Sequence, residues 1–284
     1  MCFATCILDY SFDMTSAYIN YKQSLIHYLY YGKGSTNIVC LHGYGESALS
    51  FRSLIEHLPA EFLLVAIDLP LHGTTHWNEK KHFKVEDLYL ILNKIFEVLN
   101  IKQQHFILAG YSMGGRIAMS LLQYIPERIS KLILLAPDGL KVNFWYWLFT
   151  QTHAGNRIFR FAMNNPGGLL RLLQILNHLK MANKSVIKFV CTYIEDEKMR
   201  NQIFNRLTCM REFKPDLNKI RTIIHQKQLP VRMLYGQYDQ MILIKRADKF
   251  RLGMESLCKL AVINTGHQVL QQKYGCKIIE LMTT

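Results

Sequence analysis

The sequence predicts an α/β protein: a mostly parallel sheet flanked by helices on both faces, with a helical segment inserted late in the chain. Three observations predict it. Short apolar runs of five or six residues alternate with segments whose apolar residues recur at helical spacing. Strands joined by helical crossovers pair in parallel, and the helices must cover both faces. The rhythm breaks once, between residues 139 and 230, a gap too long for one crossover. Finally, the residues with chemistry fall at the C-terminal ends of the apolar runs, where open α/β sheets build their sites.

The elements follow in order. Ser24 to Tyr31 reads as strand, ending in the turn Gly32-Lys33-Gly34. His27 reads there as a strand residue rather than a catalyst. Asn37 to Leu41 is a short apolar run, expected to be a buried parallel strand. His42-Gly43-Tyr44-Gly45 follows it, and Ser47 to Leu58 reads as a helix with Leu49, Leu54, Ile55 and Leu58 on one side. Phe62 to Ile67 is the next strand and ends in Asp68-Leu69-Pro70-Leu71-His72-Gly73. Val85, Leu88, Leu92, Ile95 and Leu99 repeat at helical spacing. Then comes the apolar run Phe106 to Ala109, a tight turn at Ser112, and an amphipathic segment from Arg116 to Tyr124. Lys131 to Ala136 is a further strand, closed by Pro137-Asp138-Gly139.

The inserted segment is expected to be helical. Leu169, Leu172, Leu173, Leu176 and Leu179 keep helical spacing, as do Val186, Phe189 and Val190. Asp216 to Gln226 reads as a helix returning to the core. Val231 to Tyr235, then Lys259 to Ile263, are the last strands, followed by Gly236-Gln237-Tyr238-Asp239 and Asn264-Thr265-Gly266-His267 respectively. The expected organisation is a core of residues 1–138 and 217–284, with residues 139–216 forming a helical cap.

Gly110-Tyr111-Ser112-Met113-Gly114 is the densest signal. It reads G-x-S-x-G with a strand before it and a helix after it, as a nucleophile-bearing turn requires. Glycines flank the serine because a tight strand-to-helix turn has no room for Cβ atoms. The helix N-terminus behind Ser112 favours negative charge, which suits a serine becoming alkoxide-like. The competing reading is a glycine-rich turn whose serine merely caps the helix. His42, Asp239 and His267 also fall at strand ends, each from a different strand.

Taken together and in this order, His42-Gly43, Gly110 to Gly114, Gly236 to Asp239 and Gly266-His267 resemble the α/β-hydrolase family over nearly the whole chain outside the insertion. The resemblance implies a triad in the order serine, acid, histidine: Ser112 as nucleophile, Asp239 as acid, His267 as base. It also implies an oxyanion site made by the backbone N–H groups of Tyr44 and Met113. Asp138 is the alternative acid, since some members place it after the preceding strand. Asp68 and His72 lie in a loop that is usually structural in this family. His42 is expected to shape the oxyanion loop, and is kept with Arg116, Trp145 and Trp147 as a candidate for substrate contact. Ser112 argues against the family's dehalogenases and epoxide hydrolases, whose nucleophile is an aspartate.

The activity so implied is a serine hydrolase cleaving a carboxylic ester or thioester through an acyl-enzyme. Carbon–carbon hydrolysis, a lyase reaction and a non-catalytic ligand-binding role are the alternatives. Ser112 to Arg116 resembles the Ser-x-Gly-Gly-Arg of a menaquinone-pathway lyase in the family, where the arginine faces an acidic substrate. Here Arg116 is equally readable as a solvated helix residue.

Composition bounds the rest. Half of the 284 residues are hydrophobic, enough for a large core. The seven scattered cysteines, with no CxxC pair, read as free thiols of a reducing compartment, so a cytoplasmic protein is expected. Met1 to Leu8 is apolar but has no basic region before it and ends at Asp9, so it does not read as a secretory leader. No run reaches the length of a membrane span. The net charge is +13, and residues 139–216 hold twelve lysines and arginines against five carboxylates. With the aromatic run Asn143 to Phe149, that suggests an apolar substrate with an anionic group, or weak contact with anionic membrane. A cap with solvated lysines accounts for the same pattern. No nucleic-acid motif accompanies the charge. His42, His72 and His76 are close in sequence without a ligand pattern, so neither a metal nor another cofactor is expected. The expected partner is a small acyl substrate, and the oligomeric state is left open.

Overall fold

A computed structural model describes residues 14–141, 144–168, 171 and 196–284. Among these residues eight strands form one sheet: β1 (Thr15–Tyr21), β2 (Ser24–Gly32), β3 (Thr36–Leu41), β4 (Phe62–Ile67), β5 (Phe106–Tyr111), β6 (Ile129–Leu135), β7 (Val231–Gly236) and β8 (Cys258–Ile263). Their order across the sheet is β1-β2-β4-β3-β5-β6-β7-β8. β1 pairs antiparallel with β2, and β2 antiparallel with β4; every later pairing is parallel. β4, β5 and β7 are buried along their whole length. Covered on both faces, they need no polar alternation, which is why β4 and β5 read as apolar runs and β7 as one broken by Arg232 alone.

Among the described residues the α-helices are α1 (Val85–Val98), α2 (Met113–Tyr124), α3 (Phe144–Gln151), α4 (His153–Asn164), α5 (Glu197–Cys209), α6 (Leu217–Lys227), α7 (Lys245–Arg251) and α8 (Gly275–Thr283). Alternate strand residues feed opposite layers. Val39, Leu41 and Leu108 pack with Leu88, Ile91 and Leu92 of α1 and with Ile117 and Leu121 of α2. Ile38, Cys40, Ile107 and Ala109 pack on the other face with Phe51, Leu54 and Ile278. Each such leucine or isoleucine contributes about 1.5–3 kcal/mol by leaving water.

One element differs from expectation. Ala48–His57 winds as a 3-10 helix, not an α-helix. Ala48, Phe51 and Leu54 are fully buried, whereas Leu49 is exposed. A spacing of three puts these side chains directly above one another when the helix has three residues per turn. Phe51, not Leu49, belongs to the apolar side.

Between β6 and β7 the described chain is helical. The rings of Phe149, Phe159 and Phe204 link α3, α4 and α5. Cys209, Met210 and Phe213 are buried in the core layer of α1 and α2, where Phe213 meets Phe83 at 5.3 Å. The leucines of the repeat from Leu169 to Leu179 and the repeat Val186, Phe189, Val190 lie outside the described residues. Met1 to Leu8 also lies outside them. No helix among the described residues is long and apolar enough to cross a membrane.

The sheet order fixes where a site can form. The chain runs from β3 outward to β4 and then crosses to β5 on the other side of β3. The loops after β3 and β5 therefore leave neighbouring strands in opposite directions and open a crevice between them.

Candidate active site

Ser112 is the single residue between β5 and α2. Its backbone is left-handed, with φ +50° and ψ −115°. Holding a non-glycine residue there costs about 1–3 kcal/mol, so the surroundings must over-determine it. They do: Ser112 N–H donates to Leu135 O at 2.9 Å, and Ser112 O accepts from the N–H groups of Gly115 and Asp138, each at 2.9 Å. The α2 helix starts hard against β3. A Cβ on Gly114 would stand 1.9 Å from Leu41 O, so no side chain fits. Ser112 makes no side-chain cap to α2. Its Oγ instead lies 2.9 Å from His267 Nε2, which disposes of the capping alternative.

His267 sits in the loop after β8, and Asp239 in the loop after β7. His267 Nδ1 and Asp239 Oδ2 are 2.7 Å apart. The carboxylate is buried, and its other oxygen accepts from the N–H groups of Met241 and Ile242 at 2.8 and 2.9 Å. Those amides fix the carboxylate, and the carboxylate orients the imidazole. The two loops touch closely: a Cβ on Gly236 would stand 1.9 Å from Gly266 O. Asp138, the alternative acid, pairs elsewhere. Its carboxylate accepts from Gly139 N–H at 2.7 Å and faces Arg116 at 3.4 Å.

The loop after β3 lies against the serine. A Cβ on Gly43 would be 3.4 Å from Ser112 Cβ. His42 is fully buried, and Leu69 N–H donates to its Nε2 at 3.0 Å. Nδ1 must then carry the proton, and it donates to Gly43 O at 2.7 Å. Burial keeps this ring neutral and pulls its pKa down to about 4. The Gly43 carbonyl shares a peptide unit with the Tyr44 N–H. In a trans peptide the two point opposite ways, so the His42 bond fixes the direction of that N–H. Met113 is the first residue of α2, where amides lack partners within the helix.

Two of the candidates for substrate contact are buried. His42 is sealed from solvent with both ring nitrogens engaged by backbone, a position that suits shaping the loop. Arg116 is not a solvated helix residue: it is buried and paired with Asp138, because α2 packs its first turn beneath the segment that follows β6. Trp147 is 45% exposed on α3. The side chain of Trp145 lies outside the described residues.

Sequence reasoning missed a support behind the histidine. Tyr111 OH donates to Gln268 Oε1 at 3.0 Å and to His267 O at 3.2 Å. Gln268 Nε2 in turn donates to Glu46 Oε1 at 3.0 Å, joining the histidine loop to the loop after β3. Burial raises the Tyr111 pKa, so the phenol stays a donor. Its position inside the G-x-S-x-G motif was the one available signal. A cavity of about 500 Å³ opens beside these loops, lined by Glu46, Ser47, Arg206, Gln268 and Leu270 among others.

A second serine–histidine–aspartate chain stands apart from this site. His27 Nε2 is 2.9 Å from Ser16 Oγ, and His27 Nδ1 is 2.7 Å from Asp68 Oδ2. Asp68 also accepts from the N–H groups of Ala48 and Thr74, at 2.6 and 2.9 Å, and so ties three segments together. His72 is buried beside His42, and burial followed by the neighbouring imidazole lowers its pKa to about 3. Among the described residues no group of three or more histidines, cysteines or carboxylates could hold a metal ion.

Comparison with known proteins gives consistent matches. Residues 36–269 match the α/β hydrolase fold family. The uncharacterized hydrolase YugF of Bacillus subtilis is 25% identical over 247 residues, covering 86% of this chain and 88% of that protein. Human monoacylglycerol lipase ABHD6 is 21% identical over 272 residues, covering 92% of this chain and 79% of that protein. Among solved structures, a thermophilic esterase from Thermogutta terrifontis superposes with a TM-score of 0.66 at 16% identity, covering 95% of this chain and 98% of that one. The thioesterase domain from the curacin biosynthetic pathway gives 0.63 at 14% identity, covering 96% and 100%. At such identities the solved structures speak for the fold alone.

Proposed function

Because this chain belongs to the α/β-hydrolase fold family, an enzyme fold, we propose that it is a serine hydrolase cleaving a carboxylic ester or thioester through an acyl-enzyme on Ser112. The observation that carries the proposal is the unbroken chain Ser112 Oγ, His267 Nε2, His267 Nδ1, Asp239 Oδ2, at 2.9 and 2.7 Å. The relatives named as monoacylglycerol lipases support the ester class of substrate.

In the proposed reaction Ser112 Oγ attacks the acyl carbon while His267 takes its proton. Asp239 keeps the imidazole in the right tautomer and balances its charge. The carbonyl oxygen becomes an oxyanion facing the N–H groups of Met113 and Tyr44. One such donor stabilises the transition state by about 3 kcal/mol. The histidine then protonates the leaving alcohol or thiol. A water attacks the acyl-enzyme by the same route in reverse, giving the free acid and restoring Ser112.

Helices α3 to α5 serve in this reading as a cap bounding the acyl site. Carbon–carbon hydrolysis would use the same residues. The lyase reading asks Arg116 to meet an acidic substrate, and its burial against Asp138 weighs for the ester reading. Weak contact with anionic membrane through the basic insertion remains part of the proposal; exposed Ile158 and Phe161 beside Arg157 and Arg160 on α4 support it.

The test is a panel of p-nitrophenyl esters and acyl thioesters of increasing chain length. The expected result is turnover that Ser112→Ala removes. Folded protein that turns over neither class, or turnover that survives Ser112→Ala, would refute it.

A further inference from the structure

We propose that Arg206, on the inserted helix α5, is a positioning residue for the Tyr44 N–H, an inference that rests on reading that N–H as half of the oxyanion site. Arg206 holds two loops at once. Its Nε donates to Leu71 O at 2.8 Å, in the loop after β4. Its guanidinium carbon lies 5.9 Å from the centre of the Tyr44 ring, in the loop after β3. Both loops have reason to need holding. Leu71 is left-handed, with φ +65°, a backbone state that a branched side chain resists. Tyr44 is 37% exposed, so only part of its ring lies against the core.

The contacts continue inward without a gap. The centres of the Tyr44 and His72 rings are 5.8 Å apart, with the rings nearly perpendicular. His72 stands 5.1 Å from His42. His42 donates to Gly43 O, the far end of the peptide that carries the Tyr44 N–H. A cation on the Tyr44 ring, and two neutral imidazoles beyond that ring, thus form one line of contacts ending at the Gly43–Tyr44 peptide. Docking of α5 is thereby coupled to the direction of a single N–H. An arginine that merely joined the insertion to the core would have no such reach.

Kinetics separate this role from substrate binding, which the place of Arg206 on the lining of the cavity beside these loops would also allow. A misdirected N–H weakens the transition state more than the ground state, so kcat should fall with KM nearly unchanged. The experiment compares the parent with Arg206→Met, Arg206→Lys, Tyr44→Leu and the Arg206→Met/Tyr44→Leu double variant. It measures kcat and KM on a p-nitrophenyl ester, and affinity for a boronic acid that forms a tetrahedral adduct on the serine. Arg206→Met should lower kcat and boronate affinity about tenfold, short of the hundredfold that a 1 Å misplacement can cost. Arg206→Lys, which keeps the cation and a donor, should recover part of both. Tyr44→Leu should resemble Arg206→Met, and the double variant should be little worse than either single one.

Unchanged kcat and boronate affinity in Arg206→Met would overturn the inference. So would a rise in KM alone, or fully additive losses in the double variant. Thermal melting identifies a variant that fails to fold. In that event Tyr44→Leu carries the test, and an unchanged kcat there overturns the inference equally. Failure of this idea is distinct from failure of the functional reading. Ester turnover that depends on Ser112 but ignores Arg206 defeats only this inference, whereas turnover independent of Ser112 defeats both.

Discussion

Ser112, His267 and Asp239 form one hydrogen-bonded chain; Ser16, His27 and Asp68 form another with the same two distances, 2.9 and 2.7 Å. Both aspartates are buried, and both accept from backbone amides on their remaining lone pairs. The difference lies around the serines. Ser112 is a strained hinge before the first turn of α2, with the Gly43 backbone beside it. Ser16 lies within β1, paired with Leu29 of β2, in ordinary extended chain. His27 is covered by the Tyr18 ring, 4.8 Å away. Distances among three side chains thus describe a proton path. A nucleophile also needs donors aimed at the charge it creates, and a helix start and an adjoining loop offer them only at Ser112.

Removing each serine in turn separates the two sites most widely. Ser112→Ala should lower kcat by on the order of 10⁴-fold or more. Ser16→Ala should leave kcat and KM on the same ester unchanged. Comparable losses in the two would show that the surroundings do not decide.

The aspartates separate the two sites next. Asp239→Asn keeps an oxygen for Met241 and Ile242 but offers His267 an N–H, which forces the wrong tautomer. Its kcat should fall by on the order of 10⁴-fold with a modest change in stability. Asp68→Asn loses one acceptor among Ala48, Thr74 and His27. It should cost about 2 kcal/mol in urea unfolding while most of kcat survives. The reverse assignment of effects would exchange the roles of the two chains.

The chain through Ser112 is legible in the sequence, for a physical reason. Buried parallel strands are written as apolar runs, and chemistry at their ends is written beside them. Ser112, Asp239 and His267 can therefore be placed together from strand order alone. What is not legible comes from contacts between distant segments. Nothing near His27 announces Asp68 or Ser16, and nothing near Arg206 announces Leu71. Arg116 reads as solvated because Asp138, its partner, belongs to the end of another strand. The 3-10 segment escapes the pattern because Leu49 fits a helical spacing as well as Phe51 does; only a turn of three residues separates them.

The smallest effect concerns pH. His42 and His72 are held neutral, with pKa values lowered to about 4 and about 3. In the unfolded chain they titrate near the ordinary value of about 6.5. Between those limits the unfolded state binds more protons. Their contribution is therefore complete above about pH 6.5 and declines as pH falls toward 4. Urea titrations at stepped pH should show this loss, and His72→Gln should flatten it. A stability that stays level from pH 7 to 4 would contradict the buried neutral pair.

The most direct measurement is peptide mapping after reaction with a fluorophosphonate, which forms a stable adduct on an activated serine. One adduct is expected, on the peptide containing Ser112, and none on the peptide containing Ser16. An adduct on Ser16, or folded protein that takes up no label at Ser112, would contradict it.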